Sequence, residues 1–166
     1  MLGAKSAPTN SEALRSFAVA LASEVRLMHQ AVCSGQSGLE ITRALLHHIE
    51  QLCLKLGARA HCEVHVDLYR SGVYRTSKPY RKWGRLDMAV ELSDGWRVAI
   101  EIDRGNKRWS RDKLIHATSL PRTCALWIRW RGQCPDENCA PGLSLINLTE
   151  DPPAWLDHWA ACYGEC

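Results

Sequence analysis

Within one short stretch, Gly84–Gly105, GRLDMAVELSDGWRVAIEIDRG, the acids Asp87, Glu101 and Asp103 fall inside strand-like runs, on positions that alternate with apolar residues. Two strand-like runs flank the link Leu92-Ser-Asp-Gly-Trp96, so the stretch reads as a β-hairpin. A two-residue Asp94-Gly95 turn would set polar against apolar residues on every rung. A three-residue loop of Ser93, Asp94 and Gly95, with Gly95 left-handed, pairs Leu92 with Trp96 and makes every rung agree. Leu86 then faces Ile102, Met88 faces Ile100 and Val90 faces Val98. On the other face Asp87 meets Glu101, Ala89 meets Ala99, Glu91 meets Arg97 and Arg85 meets Asp103. Asp87 and Glu101 become cross-strand neighbours, with Cβ atoms ~4.5–5.5 Å apart, and like charges there destabilise a sheet. A divalent cation between them reverses that sign. Hard oxygen ligands on rigid strands suit Mg²⁺, which keeps several waters and takes one or two protein carboxylates. Without a metal, the same pair would show a raised carboxylate pKa. Asp103 has two readings: a salt bridge to Arg85, or a further metal ligand or water-positioning group.

Cations gather around this hairpin. From Arg70 to Arg85 the chain carries Arg70, Arg75, Lys78, Arg81, Lys82 and Arg85 with no acid, and Tyr74, Tyr80 and Trp83 are interleaved. Cations neutralise phosphates and aromatic rings stack on bases, so this segment suits a polyanion, although a solvated loop has the same composition. Beyond the hairpin, Arg104 precedes a stretch from Lys107 to Leu120 that reads as a helix carrying Lys107, Arg108, Arg111 and Lys113.

The remaining elements must position these groups. Thr9-Asn-Ser-Glu12 reads as a capping box, and Leu14, Phe17, Leu21, Val25, Met28 and Val32 recur at helical spacing, which predicts an amphipathic helix over residues 10–33. Its stripe can pack on the core or on a second copy. Ser37-Gly-Leu-Glu40 is a second capping box, and Ile41, Leu45, Leu46, Ile49, Leu52, Cys53 and Leu56 form the next helix up to Gly57. Glu50 lies at the edge of that stripe, either as a boundary glutamate that reaches water or as a carboxylate aimed at a site. His61–Tyr69 alternates strictly, with Cys62, Val64, Val66 and Leu68 on one face and Glu63, His65 and Asp67 on the other, a strand with one buried face. After the helix that ends at Pro121, residues 123–131 and 142–149 read as strands. Asp151-Pro-Pro starts a final helix bearing Trp155 and Trp159.

A chain of 166 residues supports a single domain, with 1–9 loose, 10–35 an N-terminal helical segment, 37–131 the core and 132–166 a C-terminal extension. At 46% hydrophobic and 23% charged residues, a disordered chain is excluded. The formal net charge of +3 says little by itself; the clustering of cations says more. No apolar run reaches the ~18 residues that span a bilayer, and the N-terminus has no apolar signal core, so the expected location is cytoplasmic with no membrane partner. Of the eight cysteines, Cys53 and Cys62 fall in apolar registers, and no CxxC occurs. Cys134, Cys139, Cys162 and Cys166 could together supply four thiolates to zinc, but their spacings are longer than a usual knuckle, and reduced thiols are the favoured reading.

With these residues on the page, the chain resembles the PD-(D/E)xK nuclease superfamily. The likeness spans residues 37 to about 131 and rests on Glu50 in the first helix, Asp87 on one hairpin strand, Glu101-Ile-Asp103 on the next, then a basic helix and a strand. It implies an α/β, restriction-endonuclease-like α-β-β-β-α-β core with a mixed central sheet flanked by helices, plus an N-terminal helix and a C-terminal strand and helix. It also implies Asp87 and Glu101 as metal-binding acids, the carbonyl of Ile102 as a further ligand and Glu50 as an accessory acid. Asp103 stands where the family usually has lysine, and Lys107 and Lys113 are the candidates to replace it. The implied activity is Mg²⁺-dependent endonucleolytic hydrolysis of DNA, with Mn²⁺ able to substitute. The backbone would be held by Arg70, Arg75, Lys78, Arg81, Lys82, Trp83, Arg85, Arg104, Arg108 and Arg111, and a homodimer is the simplest way to cut two strands. The competing expectation is an inactive nuclease-like module that binds nucleic acid or serves assembly.

Overall fold

The computed structural model describes residues 11–32, 35–67, 83–105, 107–131 and 142–148. The Thr9 capping box, the basic segment from Arg70 to Lys82, the late cysteines and the helix expected after Asp151 lie outside the described residues, as does the side chain of Trp83. In chain order the elements are α1 (Glu12–Val32), α2 (Gly38–Lys55), β1 (Arg59–Asp67), β2 (Trp83–Glu91), β3 (Arg97–Asp103), α3 (Arg108–Thr118), β4 (Thr123–Arg129) and β5 (Leu143–Asn147). The described chain is therefore α/β, with three helices and one five-stranded mixed sheet in the order β1-β2-β3-β4-β5. The first three strands are antiparallel; β3, β4 and β5 run parallel. Among the described residues no helix is long and apolar enough to cross a membrane.

Local chemistry explains where the helices start. Ser37 caps α2: its Oγ accepts from the Glu40 amide at 3.4 Å, and its own amide donates to Glu40 Oε2 at 2.8 Å. In α1 the cap is Ser11, whose Oγ accepts from the Leu14 amide at 2.9 Å while its hydroxyl donates to Asp94 in the hairpin loop. That long-range bond ties the start of α1 to the far end of the hairpin.

The sheet has two different faces. Val98, Ile100 and Ile102 of β3 and Cys124, Leu126 and Ile128 of β4 pack under α1 and α2, with Leu14, Phe17, Leu21 and Met28 of α1 almost wholly buried among them. Leu14, Phe17, Leu21 and Met28 of the α1 stripe are thus taken up within the chain's own core. On the opposite face Ala99, Ala125 and Trp127 pack under α3 through Leu114 and Ala117.

The hairpin loop has the expected form. The Leu92 amide donates to the Trp96 carbonyl at 2.8 Å and Gly95 has φ +83°, the left-handed value that favours glycine. Glu91 pairs with Arg97, Val90 with Val98, Ala89 with Ala99 and Met88 with Ile100.

The strict alternation expected for β1 does not hold. Glu63 adopts φ +54°, a left-handed conformation that costs a non-glycine residue roughly 1–3 kcal/mol. It lies between the pairs Cys62↔Met88 and Val64↔Leu86, level with Asp87. Both strands change face there. Met88 and Val90 belong to the core under α2, whereas Leu86, Val66 and Val64 belong to the cluster under α3. Cys62 is left exposed.

Phe17→Ala removes a ring with no exposed surface from this core. It is expected to destabilise the chain by about 3–5 kcal/mol in a urea titration. Sedimentation should show the same association state as the parent, because Phe17 lies on the face of α1 turned to the core.

Candidate functional site

The face change coincides with a parting of strands. The β2–β3 ladder runs from Glu91↔Arg97 to Met88↔Ile100 and ends. The rungs expected beyond it, Asp87–Glu101, Leu86–Ile102 and Arg85–Asp103, do not form as backbone pairs. Side-chain oxygens take over instead: the Asp87 amide donates to Glu101 Oε1 at 3.1 Å, and the Ile102 amide donates to Asp87 Oδ2 at 2.8 Å. Each carboxylate thus replaces a carbonyl of the neighbouring strand. The two acids are brought together as the sequence suggests, but through reciprocal side-chain-to-backbone bonds rather than side by side on a flat ladder. In a strand the N–H and C=O of one residue point to the same side, so the Ile102 carbonyl also faces the gap.

Lys113 enters from α3. Its Nζ donates to Glu101 Oε1 at 2.6 Å and to the Arg85 carbonyl at 2.5 Å. Its side chain is 7% exposed and that of Glu101 2%. Gly84 makes the path possible. A Cβ there would lie 2.9 Å from Lys113 Cδ, and the lysine is tied down beyond that atom. The side chain of Ser110, one turn before Lys113, also favours the charged form of Glu101.

Burial decides the acidity of the pair. It pushes the Glu101 carboxyl up to about 7, with the Asp87 charge adding to the rise and Lys113 and Ser110 opposing it. Asp87 is also raised, first by burial; the Ile102 amide and Lys113 pull it down, while Asp103 and Glu63 push it up. A charged carboxylate in this place needs positive charge beside it.

Asp103 does not form the expected salt bridge to Arg85. Its Oδ2 accepts from Trp127 Nε1 at 3.0 Å and its Oδ1 from Lys107 Nζ at 2.6 Å. Asp103 is 3% exposed, while the Lys107 side chain is 63% exposed at the mouth of the site. Hydrogen bonding to Asp103 raises the Lys107 ammonium above its usual value. Arg85, beyond the end of the β2–β3 ladder, turns to Glu63 at 3.3 Å instead of Asp103. Extending the rungs past Met88 was the source of that mistaken pairing.

The other expected residues are dispersed. Glu50 accepts from Cys62 Sγ at 3.1 Å, which places it beside β1, one residue before the turn at Glu63. Burial and Glu50 hold the Cys62 thiol up at about 11. Arg108 extends into solvent, 3.9 Å from Asp112, and Arg111 lies 4.0 Å from the same acid. Arg104 lies over the ring of Trp130. Gly84, Ser110 and Trp127 were missed from the sequence. A glycine inside a strand was the one available signal, since it marks a close approach.

Among the described residues no three His, Cys, Asp or Glu side chains converge on one point. The oxygens that do converge, from Asp87, Glu101 and the Ile102 carbonyl, are the hard donors a Mg²⁺ ion takes when it keeps most of its waters. The buried Glu101 carboxyl, raised because its charge is under-compensated, is the group such an ion would relieve.

Between pH ~4.5 and 7 the folded chain holds a proton on Glu101 that the unfolded chain gives up. Unfolding then releases a proton, so stability falls as pH rises through this window, and Asp87 acts in the same direction. In chelator the melting temperature is expected to drop by several degrees from pH 5 to pH 8. Glu101→Gln should remove most of that slope; a parent protein equally stable at both pH values contradicts the burial argument.

The chain matches no protein-family model, no curated protein and no solved structure.

Proposed function

We propose that the chain is a Mg²⁺-dependent endonuclease acting on DNA, built on a restriction-endonuclease-like core. The observation that carries this reading is the meeting of Asp87, Glu101 and Lys113 where β2 and β3 part. The order α-β-β-β-α-β from α2 to β4, which the PD-(D/E)xK resemblance implies, supports it. Asp87, Glu101 and the Ile102 carbonyl would hold the ion, and Mn²⁺ could replace it. A bound Mg²⁺ supplies a water of lowered pKa and a clamp on a phosphate oxygen. Lys113 uses two of its three N–H donors on Glu101 and Arg85, and the third would stabilise charge developing on the phosphate. It thus takes the part of the lysine that Asp103 displaces from the usual position. Asp103 serves as a positioning residue: it holds Lys107 toward the mouth, where the exposed ammonium would meet the incoming backbone. Arg85, Arg104 and Arg108, with the cations of residues 70–82, would add salt-sensitive phosphate contacts.

One observation favours a second reading, an inactive nuclease-like module that binds nucleic acid. Lys113 and Lys107 already make ion pairs with Glu101 and Asp103 without a metal.

A cleavage panel of branched, duplex and single-stranded DNA separates the two. Cleavage is expected with Mg²⁺ or Mn²⁺, abolished in Asp87→Ala and Glu101→Ala, and reduced roughly 10²–10³-fold in Lys113→Met. Gly84→Ala should lower turnover by displacing Lys113 while leaving DNA affinity in chelator near that of the parent. Cleavage that survives both acid substitutions refutes the nuclease reading, and salt-sensitive binding with no turnover on any substrate favours the second.

A further inference from the structure

A second group of cations lies on the other face of the sheet, at the same end as the acids. Trp130 follows β4 directly, and its amide donates to the Asp103 carbonyl at 3.1 Å. The residue is 94% buried by its 6% relative exposure, packed in the cluster under α2. Its indole Nε1 is buried and, among the described residues, has no hydrogen-bond acceptor. A buried donor left without a partner costs about 1–3 kcal/mol, so such a group calls for an explanation.

Three features surround that ring. The guanidinium carbons of Arg104 and Arg131 lie 5.9 Å and 6.0 Å from the Trp130 ring centre. Both arginines are exposed, and among the described residues neither has an ion-pair partner. The first turn of α2 covers the ring: a Cβ on Gly38 would lie 3.0 Å from Cζ2 and 3.1 Å from Cη2, and Cζ2 is bonded to the carbon that carries Nε1. Glycine at this position lets the helix N-terminus, with its outward amides and partial positive charge, close on the indole edge. The nearby Glu40 carboxylate is bound back to Ser37 N and Oγ.

We propose that Arg104, Arg131, the Trp130 indole N–H and the first turn of α2 form a phosphate site for a nucleic-acid strand. Two cations, a helix N-terminus and an N–H donor match the charge and oxygen count of a phosphate group. This inference rests on the nucleic-acid reading above and adds to it a second phosphate contact on the α2 side of the cleft. The same chemistry serves an internal diester or a 5′-terminal monoester.

The indole N–H of Trp130 reports on the site directly. Its cross-peak in a nitrogen–proton correlation spectrum is the one that Trp130→Phe removes. The full chain, in chelator, is titrated with inorganic phosphate, with a short duplex bearing 5′-phosphates and with its 5′-hydroxyl twin. The peak is expected to move with all three, and to lose that response in the Arg104→Gln/Arg131→Gln double variant. The double variant should also lower the salt slope of duplex binding by about one. A larger response to the phosphorylated duplex assigns the site to a strand end, and equal responses assign it to the backbone. A peak that none of the three probes moves overturns the proposal. No metal is present, so the result is independent of cleavage: a silent peak alongside Asp87-dependent cutting removes the phosphate site alone, and a moving peak without cutting leaves it standing.

Discussion

The structure depends on one buried charge. Glu101 stands on the central strand of a sheet, 2% exposed and level with a second acid, and a carboxylate there is tolerable only with positive charge against it. Lys113 supplies that charge from α3 at 2.6 Å. Several otherwise odd features follow. Gly84 has no side chain because the lysine stem crosses β2 at that point. Ser110 offers its hydroxyl one turn earlier on the same helix face. The ladder between β2 and β3 stops at Met88↔Ile100 because carboxylate oxygens of Asp87 and Glu101 satisfy the amides that carbonyls would otherwise serve.

That interruption shapes the rest of the sheet. Where β2 leaves β3, it takes β1 with it, and the two strands change face at Glu63 and Asp87. Apolar residues before and after the turn therefore feed different cores, one under α2 and one under α3. The left-handed Glu63 is a local cost of this arrangement, and strain of that kind concentrates where a fold builds a site. Behind the parted strands, Trp127 and Asp103 form a rigid base that holds Lys107 at the mouth. The acids, two lysines and the cations around them thus share one end of the sheet.

Much of this was legible in the sequence. Hydrophobic pairing across Ser93-Asp94-Gly95 admits a single register, so the meeting of Asp87 with Glu101 followed from rungs that repel any slip. The Ser37 capping box and the stripes of α1 and α2 were equally readable, because each relies on residues a turn apart. What escaped was everything that depends on a break in periodicity. Alternation assumes a continuous strand, and a left-handed glutamate has no compositional cue, so Cys62 and Val64 were assigned to one face. The Arg85–Asp103 pair failed for the same reason: it extrapolated a ladder past the point where side chains replace it. The partners of Asp103 and Glu101 come from β4 and α3, and long-range contacts of that kind leave no local spacing to read.

The central claim is that Asp87 and Glu101 form a seat for a divalent cation beside Lys113. Calorimetric titration of the metal-free protein with Mn²⁺ tests it without reference to any substrate. The account expects saturable binding by the parent that disappears in Asp87→Ala and Glu101→Gln, with Asp103→Asn retaining it. Binding that is absent in the parent, or unchanged in the two acid variants, would contradict it.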